Sequence, residues 1–192
     1  MAVYEESGLR FDLPEGAHFR LAAAASYRPL SGQHLKEMDF CWVHEGRLVL
    51  LEVKDFTETT AMLKGADFVP AKNHPNPWRF DELVCKITDT LLMMLAGWSG
   101  NPWGKGLLAE LPAAVRKPVK LVLAVGLDLP AHLKVYLGAL KTALNDRLKG
   151  RLKLVGVEAV ALMDYDTLIS RPTFSPYVSR LAPALPDGIQ GQ

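Results

Sequence analysis

Residues 36–56 read KEMDFCWVHEGRLVLLEVKDF, two apolar-rich runs on either side of His44-Glu45-Gly46-Arg47. This is the pattern of a β-hairpin closed by a tight turn. Of the two central turn residues only glycine accepts a positive φ freely, so the register has to come from the strands. A turn centred on Glu45-Gly46 sets Met38 opposite Val53, Phe40 opposite Leu51 and Trp42 opposite Val49, an entirely apolar sheet face. The other face then pairs Glu37 with Lys54, Asp39 with Glu52 and Cys41 with Leu50. A slip of one residue would set apolar positions against polar ones throughout.

The register puts two carboxylates side by side. Directly opposed like charges destabilise a sheet, and two charges about 4 Å apart repel by roughly 4 kcal/mol at an effective dielectric near 20. A shared proton, a lysine or an oxygen-seeking divalent cation offsets such a pair. Lys54, two residues beyond Glu52, makes a solvated cross-strand charge ladder one reading of the four residues Glu37, Asp39, Glu52 and Lys54. A metal site is the other.

Asp39 followed by Glu52-Val53-Lys54 resembles the PD-(D/E)xK nuclease superfamily, whose hairpin carries Asp and then (Asp/Glu)-x-Lys. The longer stretches KEMDF and LLEVKDF are similar to an uncharacterised bacterial group within it. The likeness is sharpest over residues 36–56; over 81–163 only the order of elements matches. Two features depart from the pattern. Met38 stands where a proline usually precedes the Asp, and no helix glutamate near the N-terminus is identifiable. The resemblance implies an α/β three-layer sandwich with a central mixed β-sheet, the restriction-endonuclease-like core. It implies Mg²⁺ or Mn²⁺ held by Asp39, Glu52 and the Val53 carbonyl, and metal-dependent hydrolysis of nucleic acid, with DNA the expected form. Lys54 would position or deprotonate the attacking water, or pair with the scissile phosphate. The resemblance also nominates Lys86, on the helix after the hairpin, as a phosphate or transition-state contact; an ion pair with Asp89, three residues on, is the competing reading. A non-catalytic nucleic-acid-binding or assembly module on the same fold is the alternative function.

Composition sets the wider bounds. At 192 residues, 49% hydrophobic and 22% charged, the chain has the make-up of one globular domain with a substantial core. Its formal net charge of +1 carries no overall nucleic-acid signature. Locally, nine lysines and arginines between Arg116 and Lys153 face only Asp128 and Asp146, an excess that attracts phosphate or simply solubilises a surface. Cys41 and Cys85 lack metal or redox spacing and read as buried free thiols. No run reaches membrane-spanning length and no signal peptide opens the sequence, so the expectation is a cytoplasmic protein. A homodimer would suit a duplex with two strands to cut. No Gly-rich phosphate loop, Gly-x-Ser-x-Gly elbow or paired-His zinc motif points to another small-substrate enzyme.

Outward from the hairpin, residues 8–13 read as a short strand, Pro14-Glu15-Gly16 as a turn and Phe19–Tyr27 as a first core strand. Residues 57–80 are irregular, and near their end His74 and Trp78 either contact a substrate strand or, for Trp78, anchor the loop. Asp81–Trp98 is a helix capped by Asp81, burying Val84, Ile87, Leu91, Met94 or Leu95, and Trp98. A short helix follows over Lys105–Val115. Asn101-Pro102-Trp103 echoes Asn76-Pro77-Trp78, each a turn with a tryptophan plug. Val119–Gly126 reads as a buried strand and Pro130–Lys149 as an amphipathic helix ended by Gly150. Leu152–Met163 reads as a strand and Asp164–Ser170 as a capped helix. Residues 1–170 form the domain and 171–192 an extended tail.

Overall fold

The computed structural model describes residues 1–57 and 63–181. Ala2–Glu6 (β1) and Leu9–Leu13 (β2) form a first hairpin, followed by His18–Phe19 (β3) and the short helix Arg28–Ser31 (α1). Phe40–His44 (β4) and Arg47–Asp55 (β5) make the second hairpin, before the long helix Trp78–Ser99 (α2), Pro102–Glu110 (α3) and Lys120–Asp128 (β6). Ala131–Lys134 (α4), Leu137–Leu154 (α5), Ala161–Asp164 (β7), Tyr165–Ser170 (α6) and Val178–Arg180 (β8) complete the order.

The architecture is mixed α/β around a five-stranded sheet of order β3-β4-β5-β6-β7. β3, β4 and β5 run antiparallel, and β5, β6 and β7 run parallel. Leu48 through Val53 are buried, as the central strand of a sheet covered on both faces must be. On one face Leu48, Leu50, Leu123 and Val125 pack with Ile87 and Met94 of α2 and Leu140, Leu144 and Leu148 of α5. On the other, Phe40, Trp42, Val49, Leu51 and Val53 pack with Leu9, Phe11 and Leu13 of β2 and with Tyr165 and Leu168 of α6. The outer layers are therefore unlike: helices on one side, the sheet β1-β2-β8 with α6 on the other.

The hairpin register is the expected one, with Phe40 opposite Leu51, Cys41 opposite Leu50 and Trp42 opposite Val49. Glu45 (φ 48°) and Gly46 (φ 70°) are both left-handed, the two-residue turn whose twist suits the flanking strands. The ladder stops at Phe40, however. Met38 turns to the helical side and joins the core cluster of α2 and α5, not the face of Phe40 and Trp42.

Several expectations need correction. Phe19–Tyr27 is not a strand: β3 ends at Phe19 and Leu21–Ala23 is a 3-10 turn, because four consecutive alanines offer no side chains to pack on a pleated surface. Asp81 does not cap α2. The helix begins at Trp78 after Pro77, and Asp81 Oδ1 accepts from Asn76 Nδ2 at 2.9 Å. Met94, not Leu95, is buried, with Met93 beside it. Trp78 is exposed and plugs nothing, whereas Trp103 is partly buried and donates to the Ser26 carbonyl at 3.0 Å. α3 starts earlier than expected, at Pro102, with Asn101 Oδ1 accepting from the Gly104 amide at 2.7 Å. It lies so close to α2 that a Cβ on Gly104 would fall 2.0 Å from the Ala96 carbonyl oxygen.

The helix expected over Pro130–Lys149 is divided into α4 and α5, and α5 runs through Gly150 to Leu154, extending the 140/144/148 stripe to Leu152. The strand expected over Leu152–Met163 shrinks accordingly to β7. Asp164 does cap α6, accepting from the Thr167 amide at 2.8 Å. Cys41 is buried, but Cys85 is exposed; both are free. β8 pairs with β2, while the last stretch of the expected tail, 182–192, and part of the 57–80 loop lie outside the described residues. No helix among the described residues is long and apolar enough to cross a membrane.

Candidate active site

The site lies where the hairpin ladder opens. At Phe40 the chain peels away from β5 towards α2, and three hydrogen bonds hold it there. The Asp39 side chain takes the place of the next ladder bond, its Oδ2 accepting from the Val53 amide at 2.9 Å. The Met38 amide donates to Thr90 Oγ1 at 2.9 Å, and the Lys36 amide to Asp89 Oδ2 at 3.1 Å. Glu37 consequently does not face Lys54; it accepts from the Tyr27 hydroxyl.

Asp39 and Glu52 converge from adjacent strands, and Lys86 reaches between them from two turns into α2. Its ammonium lies 3.1 Å from Asp39 Oδ1 and 2.7 Å from Glu52 Oε1. Lys54 lies 3.3 Å from the same Glu52 oxygen. Glu52 is fully buried, whereas Asp39 and Lys86 are 14% and 13% exposed and Lys54 is 31% exposed. The site therefore has a dry floor and a solvent-facing lip. Among the described residues neither Glu52 oxygen has a well-directed hydrogen bond, despite the close ammonium at Oε1. Val53, between the two, is wholly buried.

Burial pushes the Glu52 carboxyl up to about 8, and the neighbouring Asp39 charge adds to the effect against the pull of Lys86 and Lys54. Lys86 moves the other way from a merely buried amine. The two carboxylates outweigh its desolvation and hold it charged well above the ordinary lysine range.

The donor set is oxygen only, which is what Mg²⁺ and Mn²⁺ prefer. Among the described residues no three His, Cys, Asp or Glu side chains gather as a metal cage. Two carboxylates with a backbone carbonyl and water remain sufficient for Mg²⁺, which keeps several waters and takes few protein ligands. The under-bonded, buried Glu52 oxygens fit a cationic occupant. Asp39, Glu52, Lys54 and Lys86, all singled out from the sequence, are thus brought together. Asp89 bonds the Lys36 amide, and no ion pair between it and Lys86 occurs among the described residues.

Sequence reasoning missed Arg20. Its Nε donates to the Asp39 carbonyl at 3.1 Å, a terminal nitrogen pairs with Glu6 Oε2 at 3.1 Å, and the guanidinium lies 4.7 Å from the Phe40 ring centroid. It fixes the backbone from which Asp39 projects. Thr90, buried on the apolar side of α2, was equally invisible.

No family model matches the chain, and no curated protein or solved structure matches it at a significant level.

Proposed function

We propose that this chain is a metal-dependent phosphodiesterase acting on nucleic acid, with DNA the expected substrate, on a restriction-endonuclease-like core of the PD-(D/E)xK type. The observation that carries the reading is the convergence of Asp39, Glu52, Lys54 and Lys86 at the open end of the hairpin. The sheet supports it: three antiparallel strands, then a parallel one reached through a helix, with the acid-x-lysine run on the central strand.

Asp39 and Glu52, with the Val53 carbonyl, would hold Mg²⁺ or Mn²⁺. When bound, such an ion lowers the pKa of water and offsets the charge that builds on the phosphoryl oxygens. Asp39 is presented rigidly, one oxygen tied to the Val53 amide and the other turned to the site. The buried floor around Glu52 strengthens every charge interaction there. Lys54, the most exposed of the four, is placed to orient the attacking water or pair with the scissile phosphate. Lys86 carries positive charge at the carboxylates and is placed to follow the phosphate as it enters.

One observation favours the second reading, a non-catalytic nucleic-acid-binding or assembly module. The Lys86 ammonium already pairs with both carboxylates, and Lys54 with Glu52, without a metal. Incubating single-stranded DNA, duplex DNA and RNA with Mn²⁺ or Mg²⁺, wild type beside Lys54→Ala, separates the two. Cleavage by wild type alone is expected. Both proteins should still be stabilised by the ion, by about 2.7 kcal/mol at a hundred times its dissociation constant. No cleavage and no ion-dependent stabilisation would remove the metal-dependent reading and turn the balance to the module.

A further inference from the structure

At the start of α2, about 12 Å of helix rise from Lys86, stands an aromatic feature that the hydrolytic chemistry does not use. Trp78, the first residue of α2, is 63% exposed, an unusual position for the largest apolar side chain. Of the four tryptophans, Trp42 is fully buried, and Trp98 and Trp103 are partly buried with their indole N–H groups bonded to carbonyls. Trp78 alone offers its ring to solvent.

That ring is braced from one side. The Arg79 guanidinium lies 4.5 Å from the Trp78 centroid, 5.6 Å from that of Phe68 and 5.8 Å from that of Phe56. Phe56 and Phe68 meet edge to face at 4.9 Å. Among the described residues Arg79 makes no ion pair, and its buried Nε has no hydrogen-bond partner. Among the described residues it is held by ring faces, with its charge beside the exposed indole. A platform organised in this way loses little freedom when something stacks on it.

The position links the platform to the carboxylates. Phe56 follows Lys54 by two residues at the end of β5, and its amide donates to the Asp128 carbonyl at 2.9 Å. Trp78 precedes Lys86 by eight residues on one helix, about 12 Å of rise. At the roughly 3.4 Å spacing of a stacked strand, that separation is a few nucleotides.

We propose that Trp78 is a stacking platform for an unpaired nucleobase, with Arg79 taking the adjoining phosphate, so that the site receives single-stranded or frayed nucleic acid. A base inside a duplex has both faces covered and cannot stack on Trp78; an unpaired base can, whatever its identity. The inference deepens the phosphodiesterase reading by naming its substrate class, yet it concerns binding and not bond cleavage.

The test is therefore made in EDTA, where nothing is cut. Fluorescein-labelled (dT)12 is titrated with wild type, Trp78→Ala and Trp78→Phe and followed by anisotropy, with (rU)12 to tell which sugar the strand carries. A 12-base-pair duplex serves as the comparison. Trp78→Ala should weaken single-strand binding about tenfold or more, the scale of losing one base–aromatic stack. Trp78→Phe should restore most of it, and duplex binding should change less than twofold. Unlabelled (dT)12 should also quench the solvent-exposed tryptophan emission of wild type and not of Trp78→Ala. Because Trp78 is exposed, the alanine variant is expected to melt with wild type, and that melt is recorded alongside. Absent single-strand binding by wild type, equal affinity of wild type and Trp78→Ala, or an equal loss on duplex overturns the proposal. Trp78-dependent binding without metal-dependent cleavage would leave the platform standing and remove the nuclease; cleavage with Trp78-independent binding would do the reverse.

Discussion

Replacing Glu52 by glutamine should make the protein more stable, and increasingly so as the pH rises. Glutamine keeps the size of the side chain and still turns an oxygen towards Lys86, but it cannot ionise. In the folded wild type the carboxyl titrates near 8, against 4.5 for an unperturbed glutamate. A folded-state pKa above the unfolded one means stability that is complete below pH 4.5 and is lost as the pH climbs towards 8. Each pH unit inside that window is worth about 1.4 kcal/mol. The advantage of the variant should thus be near zero at pH 4.5, roughly 2 kcal/mol at pH 6 and on the order of 4 kcal/mol at pH 8. In the wild type Lys86 stays charged throughout the window, and in the variant Asp39 remains its partner at 3.1 Å. Urea denaturation of the two proteins at these three pH values, in EDTA, gives the difference directly. The opposite sign has its own physical basis: removing one member of a buried ion pair ordinarily costs about 3–5 kcal/mol. A glutamine variant less stable than wild type at pH 8, or a difference that does not change with pH, would falsify the account of Glu52 as a buried charge that its lysines only partly repay.

Asp39→Ala deprives the buried Val53 amide of its acceptor and Lys86 of a partner, so it should cost about 1–3 kcal/mol in denaturant and abolish stabilisation by Mn²⁺; unaltered stability would contradict the placement of Asp39 on Val53. Gly104→Ala would force a methyl group to within 2.0 Å of the Ala96 carbonyl oxygen, for an expected loss on the order of 1–3 kcal/mol. Gly150→Ala is its control, inside α5 near its C-terminal end with open space around the added carbon, and should gain up to about 1 kcal/mol. Similar melting of the two glycine variants would rule out the close approach of α3 to α2.

The hairpin could be read from the sequence because two apolar runs flank a short turn, and the polar residues at their ends pin the register. Glu52 and Lys54 inherit their positions from that register, whereas Asp39 lies one residue beyond the ladder and is set by its side-chain bond to the Val53 amide. Lys86 needed helix periodicity as well, and its choice of Asp39 and Glu52 over Asp89 depended on the approach of α2 to the open ladder. What the sequence hid were contacts made through the backbone. Arg20 acts on the Asp39 carbonyl nineteen residues away, and no side-chain pattern encodes a carbonyl partner. The alanine run after Phe19 has too little shape to specify a strand. Gly150 looked like a helix stop, but Leu152 continues the buried stripe and the helix passes through. Exposure of Trp78 was equally hidden, since a tryptophan next to prolines reads the same whether it faces the core or solvent.

The sheet β1-β2-β8 also sets an order of events during synthesis. β2 finds one neighbour within a few residues, but its other, β8, begins at Val178. The residues between Leu13 and Val178 take roughly 10–30 s to emerge at ordinary ribosomal rates. Tyr165, Leu168, Phe174 and Val178, which help to cover Phe40, Trp42 and Val49, arrive in the same late portion. A nascent chain halted before them carries a finished hairpin whose greasy face has only β2 to cover it. That interval is when holding chaperones would matter most to this protein.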